Sequence, residues 1–363
     1  MKFPVSKPDI GEKEIAYVTE AITSGWISSL GKYIPLFEDA FSRRHGQEFG
    51  VASSSGTNAI FLALKALGIK EGDEVIVPEF TMIATAWAVT YTGATPVFVD
   101  CGDDLNIDVS KIEEKITAKT KAILPVHIYG RQCDMDKIMQ IAHDYNLYVV
   151  EDSCEAHGVI PRGDIACYSL FANKIITAGE GGICLTNDIR LAEQMKHLRS
   201  MAFDEKHSFL HKKIGYNFRM TNLQAAVALA QTERLDELLE KRGRIENWYA
   251  LPLENWHDSP LHKPTNVLWM YDIVLETEEQ RDGLVDYLAS FGIETRPFFK
   301  PMSQQPMYLT EYKHLKAYDY SLRGLYLPTY SSMTKEDVDY IRNKVLEFLR
   351  SCPQPLASVN VLA

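Results

Sequence analysis

Lys174 lies in IACYSLFANKIITAGEGGICLT, between two apolar runs and just ahead of a glycine-rich turn at Gly179, Gly181 and Gly182. It is not on an obvious solvated face. An amine taken partly out of water gives up its proton more readily, and a neutral amine can attack a carbonyl to form a Schiff base. The plain alternative is a lysine that snorkels from the surface. Asp152 closes the apolar run LYVVED. An ionised carboxylate at a strand end can pair with the protonated nitrogen of a pyridine ring; the alternative is an Asp that caps the next turn. Glu155 follows three residues later and can approach the same place. His157 can stack or hydrogen-bond nearby, or be a satisfied structural histidine. Ser53, Ser54, Ser55, Gly56 and Thr57 stand directly before a helical run. Backbone N–H groups, hydroxyls and the helix dipole together make a phosphate cradle there, unless the serine is only an N-cap. No GK[ST] follows, so this is not a Walker loop. Ser169, five residues before Lys174, can offer a hydroxyl to the same phosphate.

These groups need a scaffold that brings them together. The runs 73–78, 95–100, 121–130 and 147–152 are short, β-branched-rich and apolar almost throughout, as strands buried on both faces are. Helical patterns at 57–67, 81–92, 108–117 and 134–145 alternate with them. That alternation predicts an α/β fold with a mostly parallel central sheet flanked by helices, and ligands at the carboxyl ends of its strands. Residues 221–247 read as one long amphipathic helix linking two domains. Beyond it, a strand at 269–276 and helices at 278–291 and 335–350 suggest a smaller C-terminal α+β domain. The expected division is 1–235 and 236–363, with the last dozen residues fraying.

The 363 residues exceed one simple core. Hydrophobic content of 46% and charged content of 24% are those of an ordinary globular protein. The net charge of −11 disfavours nucleic acid and anionic membrane as partners. No apolar stretch is long enough for a membrane span, and MKFPVSKPDIGEKEI lacks the apolar core of a signal peptide, so the expected compartment is the cytoplasm. The six cysteines form no CxxC pair and read as reduced thiols; no metal site is expected. No GxGxxG turn follows an early strand, which argues against a nicotinamide-dependent oxidoreductase.

A phosphate cradle, a strand-end Asp and a semi-buried lysine beside a glycine turn come in the order that a fold-type I pyridoxal-phosphate enzyme requires. The chain resembles the DegT/DnrJ/EryC1/StrS sugar aminotransferases over nearly its whole length. The resemblance is carried by SGWISSLGKYIPLFE (24–38), SSSGTNA (53–59), GDEVIVPEFTMIATA (72–86), EDSCEAHG (151–158), NKIITAGEGG (173–182), GYNFRMTNLQAA (215–226) and GIETRPFF (292–299). It implies Lys174 as the Schiff-base lysine, Asp152 as the partner of the pyridine nitrogen, and Ser55, Gly56, Thr57 and Ser169 at the cofactor phosphate. Glu155 and Met82 would also touch the cofactor. Asn217 would reach the phosphate of the neighbouring subunit, making a homodimer with shared active sites. Ser28, Ser29, Arg219, Arg296 and Phe298 would line the sugar-nucleotide pocket.

Within the family, the stretch RPFFKPMSQQPMY (296–308) and the acidic Glu155 resemble members that aminate carbon 4 of GDP-4-keto-6-deoxymannose to make perosamine for polysaccharides such as O-antigen, with glutamate as donor. Other 4-keto or 3-keto nucleotide sugars, an eight-carbon keto-acid sugar, or a non-catalytic regulator retaining the fold are the remaining readings. Two departures from the family pattern stand out. Position 82 is Met where many members carry an aromatic ring, so the contact with the cofactor face is softer. The segment between His157 and Ser169 is shorter than in many members.

Overall fold

The computed structural model describes residues 1–203, 209–250, 265, 267–310 and 315–352. Seven strands make one sheet: β1 (Phe49–Ser53), β2 (Glu74–Pro78), β3 (Thr95–Val99), β4 (Thr120–Ile123), β5 (Tyr148–Asp152), β6 (Ile165–Ser169) and β7 (Gly182–Thr186). Their order is β1-β7-β6-β5-β4-β2-β3. The neighbours from β6 through to β3 pair in parallel, while β7 runs antiparallel to both β1 and β6. Apolar residues point alternately to two cores, Val75, Val77 and Val150 to one and Ile76, Ile123 and Val149 to the other. That is why these runs are apolar throughout.

Every strand but β7 runs the same way, so Ser53, Pro78, Ile123, Asp152 and Ser169 end on one edge. β7 begins there, with Gly182 in register with both Ser53 and Ser169. A Cβ on Gly182 would collide with the Ser55 carbonyl, so only glycine lets the turn after β1 cross so close.

Several elements differ from the sequence expectation. β1, β6 and β7 are strands that the pattern of apolar runs does not mark. Residues 108–117 form two short 3₁₀ turns, Val109–Lys111 and Glu113–Lys115, rather than a helix. Only Ile112 of that stretch is fully buried there, too little apolar surface to hold a helix on the sheet. The run 121–130 is strand only to Ile123, and Tyr129 turns with φ 52° so that its N–H reaches the Glu155 carboxylate at 3.0 Å. The expected long helix is two, Asn222–Glu233 and Leu235–Tyr249. The break falls at Arg234, whose guanidinium bonds Asp9 and Glu14 at 2.9 Å each, contacts that local sequence does not reveal.

A second, antiparallel sheet has the order β8-β10-β9, from β8 (Tyr271–Val274), β9 (Arg296–Pro297) and β10 (Gly324–Leu327). Ile245, Leu284 and Ile341, from the helices Leu235–Tyr249, Glu278–Ser290 and Lys335–Ser351, pack on it in a core of their own, joined by Phe3. A buried ion pair, Arg131 to Asp272 at 2.6 Å, ties this part to the seven-stranded sheet. The expected fraying at the C-terminus falls on 353–363, outside the described residues. All six cysteines are free thiols. Among the described residues no helix is long and apolar enough to cross a membrane.

Candidate active site

A cavity of about 400 Å³ opens at the carboxyl edge of the sheet. Ser55, Gly56, Thr57, Met82, Asp152, Glu155, Ser169 and Lys174 all line it, so eight sequence candidates from five segments converge.

Lys174 sits at the tip of the loop between β6 and β7. The base of that loop is closed by Leu170 N–H donating to the Gly181 carbonyl at 2.8 Å and Ala178 N–H donating to the Leu170 carbonyl at 2.9 Å. Gly179 (φ 79°) and Gly181 (φ 149°) make the turn possible. The lysine side chain is only 11% exposed, and Nζ lies 3.7 Å from Glu155 Oε1. On another side it lies 4.0 Å from the centroid of the Trp269 ring.

Glu155 is buried, and burial pushes its carboxyl up to about 7, against the opposing pull of Lys174 and of the Tyr129 N–H. A raised carboxyl value favours the folded state while the group is protonated. That contribution is present below the unfolded value near 4.5 and is lost as pH rises through about 7. Glu155→Gln cannot lose it. With the cofactor removed, the unfolding free energy of Glu155→Gln relative to the parent is expected to climb by roughly 3 kcal/mol between pH 4.5 and 8. Denaturant titrations across that window check it; a flat difference means that Glu155 is charged throughout.

Asp152 is 4% exposed at the end of β5. Thr85 Oγ1–H donates to its Oδ2 at 2.8 Å, and Cys154 N–H donates to its Oδ1 at 3.1 Å. Thr81 and Thr85 share a hydroxyl hydrogen bond of 3.0 Å. The carboxylate is therefore held from both sides, with lone pairs left for the cavity.

Ser55 caps the helix Gly56–Ala66, its Oγ accepting from Asn58 N–H at 3.2 Å. Capping and a cradle coexist here, because Ser55, Gly56 and Thr57 also face the cavity. A Cβ on Gly56 would lie 2.7 Å from Ser169 Cβ, so glycine keeps the helix start against the end of β6. His157 is a structural histidine. It donates from Nε2 to the Ser169 carbonyl at 2.8 Å, and burial holds it down to about 3, hence neutral. The short segment after it folds around Glu151, whose carboxylate accepts from Arg162 N–H at 2.6 Å and bonds His127 Nε2 at 2.8 Å.

Other candidates lie off the cavity lining. Phe298, expected on the pocket wall, is buried against Phe80 and Tyr129, and its neighbour Phe299 faces the cavity instead. Asn217 is exposed and accepts from Arg219 Nε at 3.0 Å, so those two form one surface pair. Arg296 is exposed and paired with Glu294 at 2.6 Å. Ser28 is exposed and Ser29 half-buried, on a loop pinned by Asn222, whose N–H donates to the Ser28 carbonyl at 2.6 Å. Phe299 belongs to the 296–299 stretch that the resemblance places at the pocket, whereas Thr85, Trp269 and Tyr326 are not among the residues that the sequence singles out. For Thr85 the sequence carries a signal, a second hydroxyl four residues after Thr81, which stands just ahead of the helix Ile83–Tyr91. For Trp269 and Tyr326 there was none.

The model of the DegT/DnrJ/EryC1/StrS aminotransferase family matches residues 8–346. The chain belongs to this family. A GDP-perosamine synthase of Escherichia coli O157:H7 is 43% identical over 96% of this chain and 99% of its own. One from Caulobacter vibrioides is 42% identical over 94% and 96%. Among solved structures, NtdA of Bacillus subtilis with its bound cofactor PMP has a TM-score of 0.86 at 30% identity, covering 96% of this chain and 86% of that one. DesV of S. venezuelae has a TM-score of 0.85 at 30% identity, covering 94% and 95%. This family member is a pyridoxal-phosphate-dependent sugar aminotransferase. Its cavity fits that cofactor: a glycine-opened helix start for a phosphate, a buried carboxylate for a ring nitrogen and an amine for an aldehyde meet in one space.

Proposed function

We propose that this aminotransferase moves an amino group from glutamate to carbon 4 of GDP-4-keto-6-deoxymannose, as a homodimer in the cytoplasm. The near-full-length identity to two GDP-perosamine synthases carries the choice of sugar. The convergence of Lys174, Asp152 and the Ser55–Thr57 turn on one cavity supports the roles that follow.

When bound, pyridoxal phosphate supplies the electron sink that makes the proton on an amine-bearing carbon removable. The turn Ser55, Gly56, Thr57 and the Ser169 hydroxyl bind its phosphate. Asp152 keeps the ring nitrogen protonated, and Thr85 holds Asp152 in place. Met82, on the cavity wall, would lie against the ring. Lys174 anchors the cofactor, and once released it takes the proton from the glutamate α-carbon and later delivers one to the sugar carbon. Glu155 stays beside Lys174 Nζ as its polar neighbour. Trp269, Phe299 and Tyr326 exclude water from the amine. Ser28, Ser29, Arg219 and Arg296 recognise the sugar nucleotide; Phe298 supports Phe299 from behind. Asn217 serves the partner's cavity, in keeping with its place on an exposed surface. The domain boundary belongs at the Arg234 break, giving 1–235 and 236–363.

The spectrum of the purified protein tests this. Added pyridoxal phosphate is expected to give a long-wavelength absorbance band, glutamate to bleach it, and GDP-4-keto-6-deoxymannose to restore it. Bleaching without recovery assigns a different keto sugar, and no bleaching sinks the transfer from glutamate. For the dimer, mixing Asn217→Ala with Lys174→Ala protein is expected to restore turnover that neither has alone. Additive, near-zero activity in the mixture would mean that the sites are not shared.

A further inference from the structure

The loop that carries Lys174 is gripped by a side chain remote in sequence. Trp269 lies just ahead of β8, 96 residues from Asn173, and is 2% exposed. Its indole Nε1–H donates to the Asn173 carbonyl at 2.9 Å, and its ring face lies 4.0 Å from Lys174 Nζ. One side chain thus holds both the backbone before Lys174 and the nitrogen at its tip. Trp269 is itself fixed from behind. The guanidinium of Arg242, also 2% exposed, donates from Nη1 to the Trp269 carbonyl at 2.6 Å and to the Thr329 carbonyl at 3.2 Å. Tyr129 and Tyr326 rings flank the indole at 5.8 and 6.2 Å. The segment presses closely on the seven-stranded part: a Cβ on Gly130 would collide with the Val267 carbonyl.

An indole that only filled the core would present its polar edge and π face to apolar neighbours. Here both address consecutive residues of the catalytic loop. We propose that Trp269 is a positioning residue for Lys174. Its N–H fixes the loop, and its face holds the nitrogen beside Glu155 while that nitrogen is free of the cofactor, ready for proton transfer. The inference rests on the reading of Lys174 as the Schiff-base lysine. Because Trp269 comes from the second part of the chain, docking of that part sets the geometry of the lysine.

The test uses protein freed of cofactor, so it does not depend on turnover. An amine-directed acylating reagent is applied, and acylation of Lys174 is read by mass spectrometry against Lys137, an exposed internal standard with 68% of its side chain accessible. In Trp269→Leu, Lys174 is expected to react about three to ten times faster than in the parent, the range of a partly desolvated cation–π contact. Trp269→Phe keeps an aromatic face but loses the Nε1–H bond to the Asn173 carbonyl, and its labelling is expected to fall between the parent and Trp269→Leu. The glutamate half-reaction of the refilled Trp269→Leu protein should slow by a similar factor with the KM for glutamate unchanged. Should Trp269→Leu fail to fold, fluorinated tryptophans weaken the ring quadrupole at nearly constant shape, and Lys174 labelling should rise with each fluorine. Parent-like labelling in Trp269→Leu, or no dependence on fluorination, overturns the proposal. A parent protein that never forms the absorbance band counts instead against the Schiff-base reading, and the labelling does not share that failure.

Discussion

Lys174→Ala is expected to lose the long-wavelength band and to lower turnover by about four powers of ten, the upper end of what one positioned acid–base group contributes. In the proposed mechanism the same nitrogen anchors the cofactor and moves the proton, so no neighbouring side chain can substitute for half of its work. Among the cavity lining, the other titratable groups are carboxylates, the Tyr326 phenol and the Cys154 thiol, the last pushed by burial well above its ordinary range. None is a nucleophilic amine. The fold should tolerate the change, since the side chain borders the cavity rather than filling the packed core. One secondary effect follows from the geometry. Glu155 loses the opposing pull of Lys174, so its carboxyl should rise above about 7. Absorbance with added pyridoxal phosphate, a single-turnover assay with glutamate and a melting curve check all of this. Small exogenous amines should restore part of the proton transfer. Lys174→Arg separates charge from chemistry: it keeps a cation over Trp269 but forms no Schiff base, and should be as inactive as the alanine. Turnover within tenfold of the parent in either variant would falsify the role of Lys174.

The strand-end logic explains how much of this site was visible in the chain. Asp152 and Ser169 end strands, and Ser55–Thr57 begin a helix after one. A parallel sheet puts such residues on one edge, but of these only Asp152 closes a run that the sequence marks as a strand; Ser55–Thr57 stand out as a helix start and Ser169 by its spacing to Lys174. Lys174, which its frame of two apolar runs and a glycine turn leaves open to a snorkelling reading, stands out only because it follows the cradle and the strand-end Asp in order. What stayed hidden was set by distance or parity. Trp269 meets Lys174 only because Arg131–Asp272 and the Gly130–Val267 approach dock two sheets together. Phe298 and Phe299 are adjacent, and which one faces the cavity depends on the register Tyr326↔Arg296, a pairing that no local pattern specifies. The break at Arg234 likewise depends on Asp9 and Glu14, more than two hundred residues upstream. Tyr129 was read into a strand by its apolar neighbours, yet a carboxylate 26 positions on captures its N–H and turns the chain.

Asp152→Asn is the sharpest test of the cofactor reading, because it removes a charge and almost nothing else. The amide fills the volume of the carboxylate. Its oxygen can accept from Cys154 N–H, and Thr85 can rotate to accept from the new NH₂ while donating to Thr81, with which it already shares a 3.0 Å hydrogen bond. The buried network is therefore re-satisfied, and the melting temperature of the cofactor-free protein should move little. The catalytic cost is different in kind. A neutral amide cannot hold a proton on the ring nitrogen. A buried ion pair that loses one partner costs about 3–5 kcal/mol, which corresponds to roughly 10²–10³-fold or more in rate if the loss falls on the transition state. The glutamate half-reaction should slow by about that factor while the band with Lys174 still forms. Asp152→Ala provides the contrast. It strands the Cys154 N–H as well, so it should lose stability in addition to rate. If Asp152→Asn runs the half-reaction within tenfold of the parent, Asp152 is only a cap for the Cys154 turn, and the ring nitrogen must find its partner elsewhere.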